Sequence, residues 1–450
     1  MYKIDVPTGA REVIEKLQAA GHEAYVVGGC VRDSILGLKP NDWDICTSAN
    51  PDEVIEVLGS YEIIPTGLKH GTVTALAGDG IVSKYVGYEI TTFRKDGEYK
   101  DNRHPESVEF VKSLKEDLAR RDFTINAMAY SDATGVVDYF GGIDDLNNKV
   151  ISCVGNPDDR FNEDALRMMR AMRFSSTYGF SIAKETAESI HRNKALLDNI
   201  AVERIQTELI KTLFGNGVLD VLLEYSDVIA QIIPEIKPCI GFEQNNPYHI
   251  YNVYDHIAHA VSNYKGDDVS IKVALLLHDI GKPQCYVEDE RGGHFYGHSE
   301  PSYDIAKKVV ERLRFDSKTQ TEVAELVLYH DTKVEPTTKA VKRWLNKLGE
   351  QRFLQFLDVR MADMLAHTPG TQQSRIERCQ AIRKIFDGVI AESQCFSLKD
   401  LKINGNHIIA LGCHEGKMVG AILNWLLGSV IDGDIPNDYE SLLEEAKKYL

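Results

Sequence analysis

The sequence has no stretch of about 18 uncharged apolar residues, the length a helix needs to cross a bilayer. Its first residues, MYKIDVPTGAREVIEKL, lack the continuous apolar core of a secretory leader. A membrane is therefore excluded as a partner, and the cytoplasm is the expected location. Clustered cysteine is missing as well: the eight cysteines are dispersed, with no C-x-x-C pair. That spacing excludes a disulfide framework and a zinc ribbon, and reads as reduced thiols. Positive charge is in short supply, with 51 Lys and Arg against 68 Asp and Glu, a net of −17. A protein that coats nucleic acid by bulk charge is excluded, and any nucleic-acid site must be a local basic patch. There is no internal repeat at a solenoid period and no low-complexity segment.

What is present divides into two textures. After a helical pattern over residues 10–20, the runs AYVVGG, DWDICT, GTVTALAG, YEITTF and VEFV are short, β-branched or aromatic, and separated by polar turns. From Asn156 onward the spacing becomes helical, as in NEDALRMMRAMRF and VERIQTELIKTLF, and stays so to the end. The fold class is an α+β head, a mixed sheet with helices, followed by an all-α remainder. Pro, Asn and Gly in PEIKPCIGFEQNNPYH mark a link between helical units, HTPGTQQS (367–374) is another break, and GNHIIALGCHEGK (405–417) is turn-rich. The expected domains are 1–155, 156–235, 245–367 and 375–450.

The stretch GGCVRDSILGLKPNDWDI (28–45) carries chemistry. On a strand alternate side chains share a face, so Asp42 and Asp44 point the same way and Trp43 points to the core. Such a pair can hold two Mg²⁺ ions that activate a hydroxyl and neutralise a leaving pyrophosphate. Gly28 and Gly29, lacking Cβ, let a triphosphate approach the amides at the start of a helix, and Arg32 one turn in can add a charge-assisted bond. Alone, an Asp-x-Asp is commonly a solvated strand edge. In this order and spacing the motif resembles that of the DNA polymerase β-like nucleotidyltransferases.

LARRDFTINAMAY (118–130), DYFGGIDDL (138–146), NEDALRMMRAMRF (162–174) and ERIQTEL (203–209) follow in order. Together these motifs resemble motifs A to E of the class II tRNA nucleotidyltransferases, a group of CCA-adding enzymes, A-adding and CC-adding relatives and bacterial poly(A) polymerases. The similarity is dense over residues 20–215 and weaker beyond. It implies addition of CMP and AMP from CTP and ATP to the 3′ end of tRNA, with Mg²⁺ as cofactor. Asp164 and Arg167, i and i+3 in a helical run with Glu163, are neighbours on one face. An acceptor beside a donor reads the amino edges of both cytosine and adenine and leaves a buried acceptor clash with uracil or guanine. By resemblance, Arg121, Arg170 and Arg173 belong to the same nucleotide pocket, Glu203 and Arg204 brace a helix, and Asp122 and Asn126 are structural. Glu89 is a candidate third carboxylate, and residues 91–106 a loop tied to the switch from C to A addition.

A second constellation, YDHIAHAV, LLLHDIGKP, HFYGHSEPS, LVLYHD and VRMADMLAH, lies in the helical part. A buried His beside Asp is costly unless paired, and a divalent metal removes that cost. The ordered set His256, His278, Asp279, His298, His330 and Asp363 resembles the HD phosphohydrolase domain. That resemblance implies His256, His278, Asp279 and Asp363 as ligands of a second divalent metal, with His298 and His330 on the phosphate side of a phosphoester. Basic residues at 333–352 and 167–173 are the expected tRNA contacts, with no obligate protein partner. Three alternatives stay open: a poly(A) polymerase or partial adder, a phosphohydrolase with a nucleotide-binding head, and a non-enzymatic RNA-binding protein.

Overall fold

The computed structural model describes residues 2–65, 67–78, 85–97, 107–290, 292–413 and 416–450. The chain divides into two compact units, Met1–Pro234 and Glu235–Leu450.

The N-terminal part of the first unit has, among the described residues, nine strands: β1 (Ala24–Val27), β2 (Ile45–Thr47), β3 (Glu62–Ile64), β4 (Thr72–Gly78), β5 (Tyr85–Thr92), β6 (Arg94–Asp96), β7 (Val108–Phe110), β8 (Met128–Ser131) and β9 (Gly135–Asp138). Seven of them form one sheet in the order β3-β4-β5-β2-β1-β8-β9, and β6 pairs with β7. The sheet is mixed because β2 and β5 are parallel while the other neighbours are antiparallel. Every residue of β1 is buried, as expected of an uninterrupted apolar run at the sheet centre. On β4 half-buried and fully buried residues alternate. The Thr8–Ala19 helix lays Val13, Ile14 and Leu17 on the sheet. Truncating the fully buried Leu17 to Ala costs about 2–5 kcal/mol. Of the 91–106 loop, residues 98–106 lie outside the described residues.

Beyond Asn156 the expected helices form, with a two-residue parallel pair, Val150–Ile151 with Ser181–Ile182, that the helical pattern hides. NEDALRMMRAMRF is not one helix. The Pro157–Glu163 helix stops, Asp164 turns extended (φ −138°, ψ 104°), and a new helix runs Leu166–Tyr178. The cause is chemical: the Asp164 carboxylate accepts from Leu166 N at 3.1 Å, the capping bond that aspartate makes well.

In the second unit the Val269–Leu277 helix is buried on nearly all sides, and the Val253–Asn263, Ser317–Tyr329 and Thr338–Met364 helices surround it. The last of these is two helices joined where Gly349 takes φ 75°. A short hairpin, Val287–Asp289 with Gly292–His294, is the local β element. The described residues of 405–417, 405–413 and 416–417, are more helical than their turn-rich composition predicts. Asn404 caps a Gly405–Ala410 helix, and a helix begins at Gly416. Among the described residues no helix is long and apolar enough to cross a membrane.

Candidate functional site

In the first unit the Asp-Trp-Asp residues precede β2 and are not within it. Regular pairing begins at Ile45, although the Asp44 carbonyl still accepts Val27 N at 3.0 Å and so prolongs the β1–β2 ladder. Trp43 is half-buried, while Asp42 and Asp44 are exposed. Ile45 is in register with Ile90 on the parallel neighbour β5, so the preceding residues, Asp44 and Glu89, come side by side. Asp44 is open to solvent on one side and crowded by protein on the other. Desolvation raises its carboxyl above the ordinary range, Glu89 and Asp42 add to the rise, and Arg121 opposes it. Three carboxylates thus share one field, the environment that a divalent cation stabilises.

Gly28 closes this corner. It holds φ 83° between β1 and the Gly29–Ile35 helix, and a Cβ there would stand 2.9 Å from Arg121 Nη1. Only glycine suits both the backbone and the arginine. Gly29 is less constrained, since its Cβ would make ordinary contact with Arg32.

Arg32, at the start of the helix, is held by its own protein neighbours. Its guanidinium donates to Asn126 Oδ1, and to Asp33 Oδ1 from Nε at 2.9 Å, and lies 5.1 Å and 5.0 Å from the rings of Phe174 and Tyr178. The expected arginines nearby are similarly engaged. Arg170 binds Asp122, Arg173 Nε lies 2.6 Å from Glu208, and both flank the Phe174 ring. Three guanidiniums around one ring are tolerated because Asp33, Asp122 and Glu208 each answer one of them.

Asp164 and Arg167, expected to read the base together, each hold another protein group in this structure. Arg167 donates to Glu163 Oε2 at 2.6 Å and to the Arg120 carbonyl at 3.1 Å, whereas Asp164 Oδ2 takes Arg204 Nη2 at 3.0 Å. The helix break at Asp164 turns the two side chains to different partners, although Arg167 N still donates to the Asp164 carbonyl at 3.0 Å. Sequence reasoning placed Arg204 as a brace, and the residue it braces is Asp164.

In the second unit six predicted residues converge. Asp279 splits its carboxylate: Oδ2 lies 3.3 Å from His256 Nε2 and 3.2 Å from His278 Nε2, while Oδ1 lies 3.1 Å from His298 Nε2 and 3.5 Å from His330 Nε2. Asp363 Oδ1 joins the first group at 2.9 Å from His256 Nε2. His298 and His330 gather with Asp279 in a second group whose ligand atoms are close enough to hold a metal ion. All four imidazoles turn Nδ1 to a carbonyl oxygen, of Ala366, Leu275, Phe295 and Val327. A carbonyl only accepts, so Nδ1 carries the proton and each Nε2 lone pair faces inward. Four inward lone pairs and two buried carboxylates form a donor set suited to divalent metal ions, and they gather in two groups with ligand atoms within 4.8 Å of one another. Burial pushes the Asp279 carboxyl up, but His278 and Lys282 take it well below the usual range. With no metal bound, burial pulls His278 down but Asp279 reverses this and lifts it to about 10, so a proton occupies its Nε2 until a metal displaces it. Gly281 is required here because a Cβ would meet Ser302 N at 2.6 Å.

Residues 24–152 match the family described as the Poly A polymerase head domain, 179–240 the probable RNA and SrmB-binding site of polymerase A, and 248–382 the HD domain. The CCA-adding enzyme of Ligilactobacillus salivarius is 34% identical over 446 residues, covering 98% of this chain and 96% of that protein. The chain belongs to the CCA-adding enzyme family. A family member from Anoxybacillus flavithermus is 50% identical over 206 residues, 46% of this chain and 50% of that one. The crystal structure of the Bacillus stearothermophilus CCA-adding enzyme in complex with CTP superposes with a TM-score of 0.72 at 28% identity, covering 98% of this chain and 96% of that one. The Thermotoga maritima CCA-adding enzyme complexed with tRNA shares the fold, with a TM-score of 0.60 at 22% identity over 97% of this chain and 93% of that one.

Within this CCA-adding family member, several site residues escaped sequence reasoning. Lys282 lies 2.7 Å from Asp279 Oδ2 and donates to Gln244 Oε1 at 2.9 Å. His367 lies 3.4 Å from Asp363 Oδ1, and the His249 ring packs on it. His367, at i+4 from Asp363, and Lys282, inside HDIGK, were legible by spacing. Gln244 was not. The basic run 333–352 is partly spent internally: Lys339 and Arg343 bind Asp432 at 3.2 Å and 2.7 Å, and Arg352 binds Glu322 at 3.2 Å.

Proposed function

We propose that this chain adds CMP and AMP from CTP and ATP to the 3′ end of tRNA, releasing pyrophosphate, with residues 1–155 as catalytic head, 156–235 as neck, 245–367 as metal-binding body and 375–450 as tail. The observation that carries the reading is the shared field of Asp44, Glu89 and Asp42 beside the open backbone of Gly28. Bound Mg²⁺ at Asp42 and Asp44 supplies hydroxyl activation and neutralises the leaving pyrophosphate. Gly28 leaves the helix amides open to the triphosphate, and Arg121 stands beside them. Base selection follows from exchange: cytosine or adenine replaces Glu163 on Arg167 and meets Asp164 while Arg204 keeps that carboxylate in place, because its amino group and adjacent acceptor match both. Uracil or guanine presents an oxygen to Asp164 and loses about 1–3 kcal/mol or more.

The test is incubation with Mg²⁺ and tRNA lacking its 3′ terminus, with labelled CTP and ATP separately and together. Three nucleotides added only when both are present is the expected product. A long ladder with ATP alone indicates a poly(A) polymerase, and a one- or two-residue product a partial adder.

The converging Nε2 atoms favour a second activity, hydrolysis of a phosphoester such as a 2′,3′-cyclic phosphate, with a divalent first-row metal held by His256, His278, Asp279 and Asp363. His278→Ala removes that activity and spares nucleotide incorporation, and the Asp42→Ala with Asp44→Ala double variant does the reverse.

A further inference from the structure

Two cavities of the second unit share Tyr248, Asp331 and Arg375. One, of about 620 Å³, opens on Asp279, His298, His330 and Asp363. The other, of about 360 Å³, is walled by four cations, Lys333, Arg360, Arg375 and Arg378, with Asp331 as its single acid. Of the four, Arg378 has a carboxylate partner, Glu335, at 2.5 Å. Arg360 donates to the Thr332 carbonyl, and Arg375 Nη1 to His367 Nδ1 at 3.0 Å. Among the described residues no carboxylate lies within 4.0 Å of Lys333, Arg360 or Arg375. Burial pulls the Arg360 guanidinium below its ordinary range, against an opposing pull from Cys379, Asp363 and Asp331, and Arg375 adds repulsion. Arg360 and Arg375 are partly buried with no carboxylate at salt-bridge distance among the described residues, a costly arrangement that a bound anion relieves. The exposed Lys333 adds a third charge at the rim.

The second cavity is also wired to the first. Because His367 Nδ1 accepts from Arg375, its proton sits on Nε2, which faces Asp363 Oδ1 at 3.4 Å. The rest of the wall, Tyr248, Cys379 and Ile382, is apolar or aromatic and suits a nucleoside more than an inorganic ion.

We infer that this cavity is a phosphate subsite, and that the histidine–aspartate site acts on nucleotides carrying two separate phosphates, one at the cluster and one on Lys333, Arg360 and Arg375. The inference rests on the phosphoester reading of that site. In the reaction a water oxygen bonds to phosphorus, the ribose oxygen–phosphorus bond breaks, a water proton passes to the ribose oxygen, and inorganic phosphate leaves. Nothing is oxidised or reduced.

The full-length protein is tested with adenosine 3′,5′-bisphosphate, 3′-AMP and 5′-AMP. Calorimetric binding of the bisphosphate without metal reads the subsite alone. Lys333→Met and Arg360→Met each weaken it about tenfold. With Mn²⁺ present, kcat/KM for the bisphosphate exceeds that for 3′-AMP about tenfold, and Lys333→Met brings the ratio of the two close to one. Lys333 is exposed, so its variant keeps the wild-type melting temperature. Bisphosphate affinity within twofold of wild type in both variants overturns the subsite. Equal turnover of bisphosphate and 3′-AMP by the wild type overturns the substrate assignment. Charge-dependent binding without hydrolysis of any of the three supports the subsite and overturns the phosphoester reading beneath it. A 3′-phosphorylated RNA oligomer preferred over the bisphosphate transfers the second phosphate to an RNA backbone and overturns the mononucleotide class.

Discussion

Arg170 donates two hydrogen bonds, from Nε at 2.8 Å and Nη2 at 2.5 Å, to a single oxygen of the buried Asp122. The other oxygen accepts Asn126 Nδ2 at 3.1 Å, and Asn126 Oδ1 in turn accepts from Arg32. One polar chain therefore ties the Gly29–Ile35 helix behind the Gly28 turn to the Leu166–Tyr178 helix that follows Asp164. Asp122→Asn leaves Arg170 without its counter-charge, and because that arginine is one-third exposed the expected loss is about 2–4 kcal/mol in urea unfolding. Burial pushes the Asp122 carboxyl up, but Arg170 and the hydrogen bonds from Asn126 and Arg170 take it below the ordinary 3.8. A lowered carboxylate contributes fully above its unfolded value. The wild-type advantage over the variant is thus complete above about pH 4 and shrinks as pH falls below it.

Asp44 is exposed, so its loss touches chemistry and not folding. Asp44→Ala reduces nucleotide incorporation by at least about 10³-fold, while the unfolding midpoint stays within about 0.5 kcal/mol of wild type. Incorporation at a tenth of the wild-type rate or better removes Asp44 from the reaction.

Arg204 holds Asp164 through one bond at 3.0 Å, and Leu166 N holds it through another. Arg204→Ala leaves the helix cap but frees the carboxylate's outer oxygen. Discrimination against UTP should fall about tenfold, with a smaller change in CTP turnover, measured by competition between labelled nucleotides. Unaltered discrimination excludes Arg204 as the positioning residue for Asp164.

The histidine–aspartate cluster should bind metal tightly enough to show in a melt. At a hundred times its Kd, Mn²⁺ stabilises the wild type by about 2.7 kcal/mol and leaves Asp279→Ala unmoved, since Asp279 belongs to both ligand groups. Scanning calorimetry with and without chelator reads the difference.

Lys272 lies inside the second unit, with Nζ donating to the Val261 carbonyl at 2.8 Å. Burial pulls its ammonium down to about 8 from an ordinary 10.5. Between those values the unfolded chain holds more protons than the folded one, so rising pH favours folding. Relative to Lys272→Met, the wild type gains about 2–3 kcal/mol from pH 8 to pH 10.5, read from urea titrations of both proteins. A flat difference across that window places the lysine in water.

Much of this was legible in one dimension. β1 and β5 followed from apolar and β-branched runs, and the helical remainder from its spacing, because burial acts on neighbours at fixed periods. The order of Gly28, Asp42 and Asp44, and of His256, His278, Asp279 and Asp363, set the chemistry each cluster can host. Charge partners were not legible. Asp164 and Arg167 look like a pair at i, i+3, yet Asp164 ends one helix and caps the next, and each turns to a different neighbour. Arg32, Arg170 and Arg173 read as phosphate or base contacts, and no sequence pattern marked Asp33, Asp122 and Glu208 as the acids that hold them in place.

The sequence alone determined the texture of each unit, the kinds of ligand atom available and their order along the chain, since all three depend on residue type and short-range spacing. Tertiary structure decided which carboxylate meets which cation, that Asp279 serves two groups of histidines, and that Lys333, Arg360 and Arg375 share a cavity wall. Those outcomes depend on residues tens of positions apart being brought within hydrogen-bond range, and no local pattern encodes that distance.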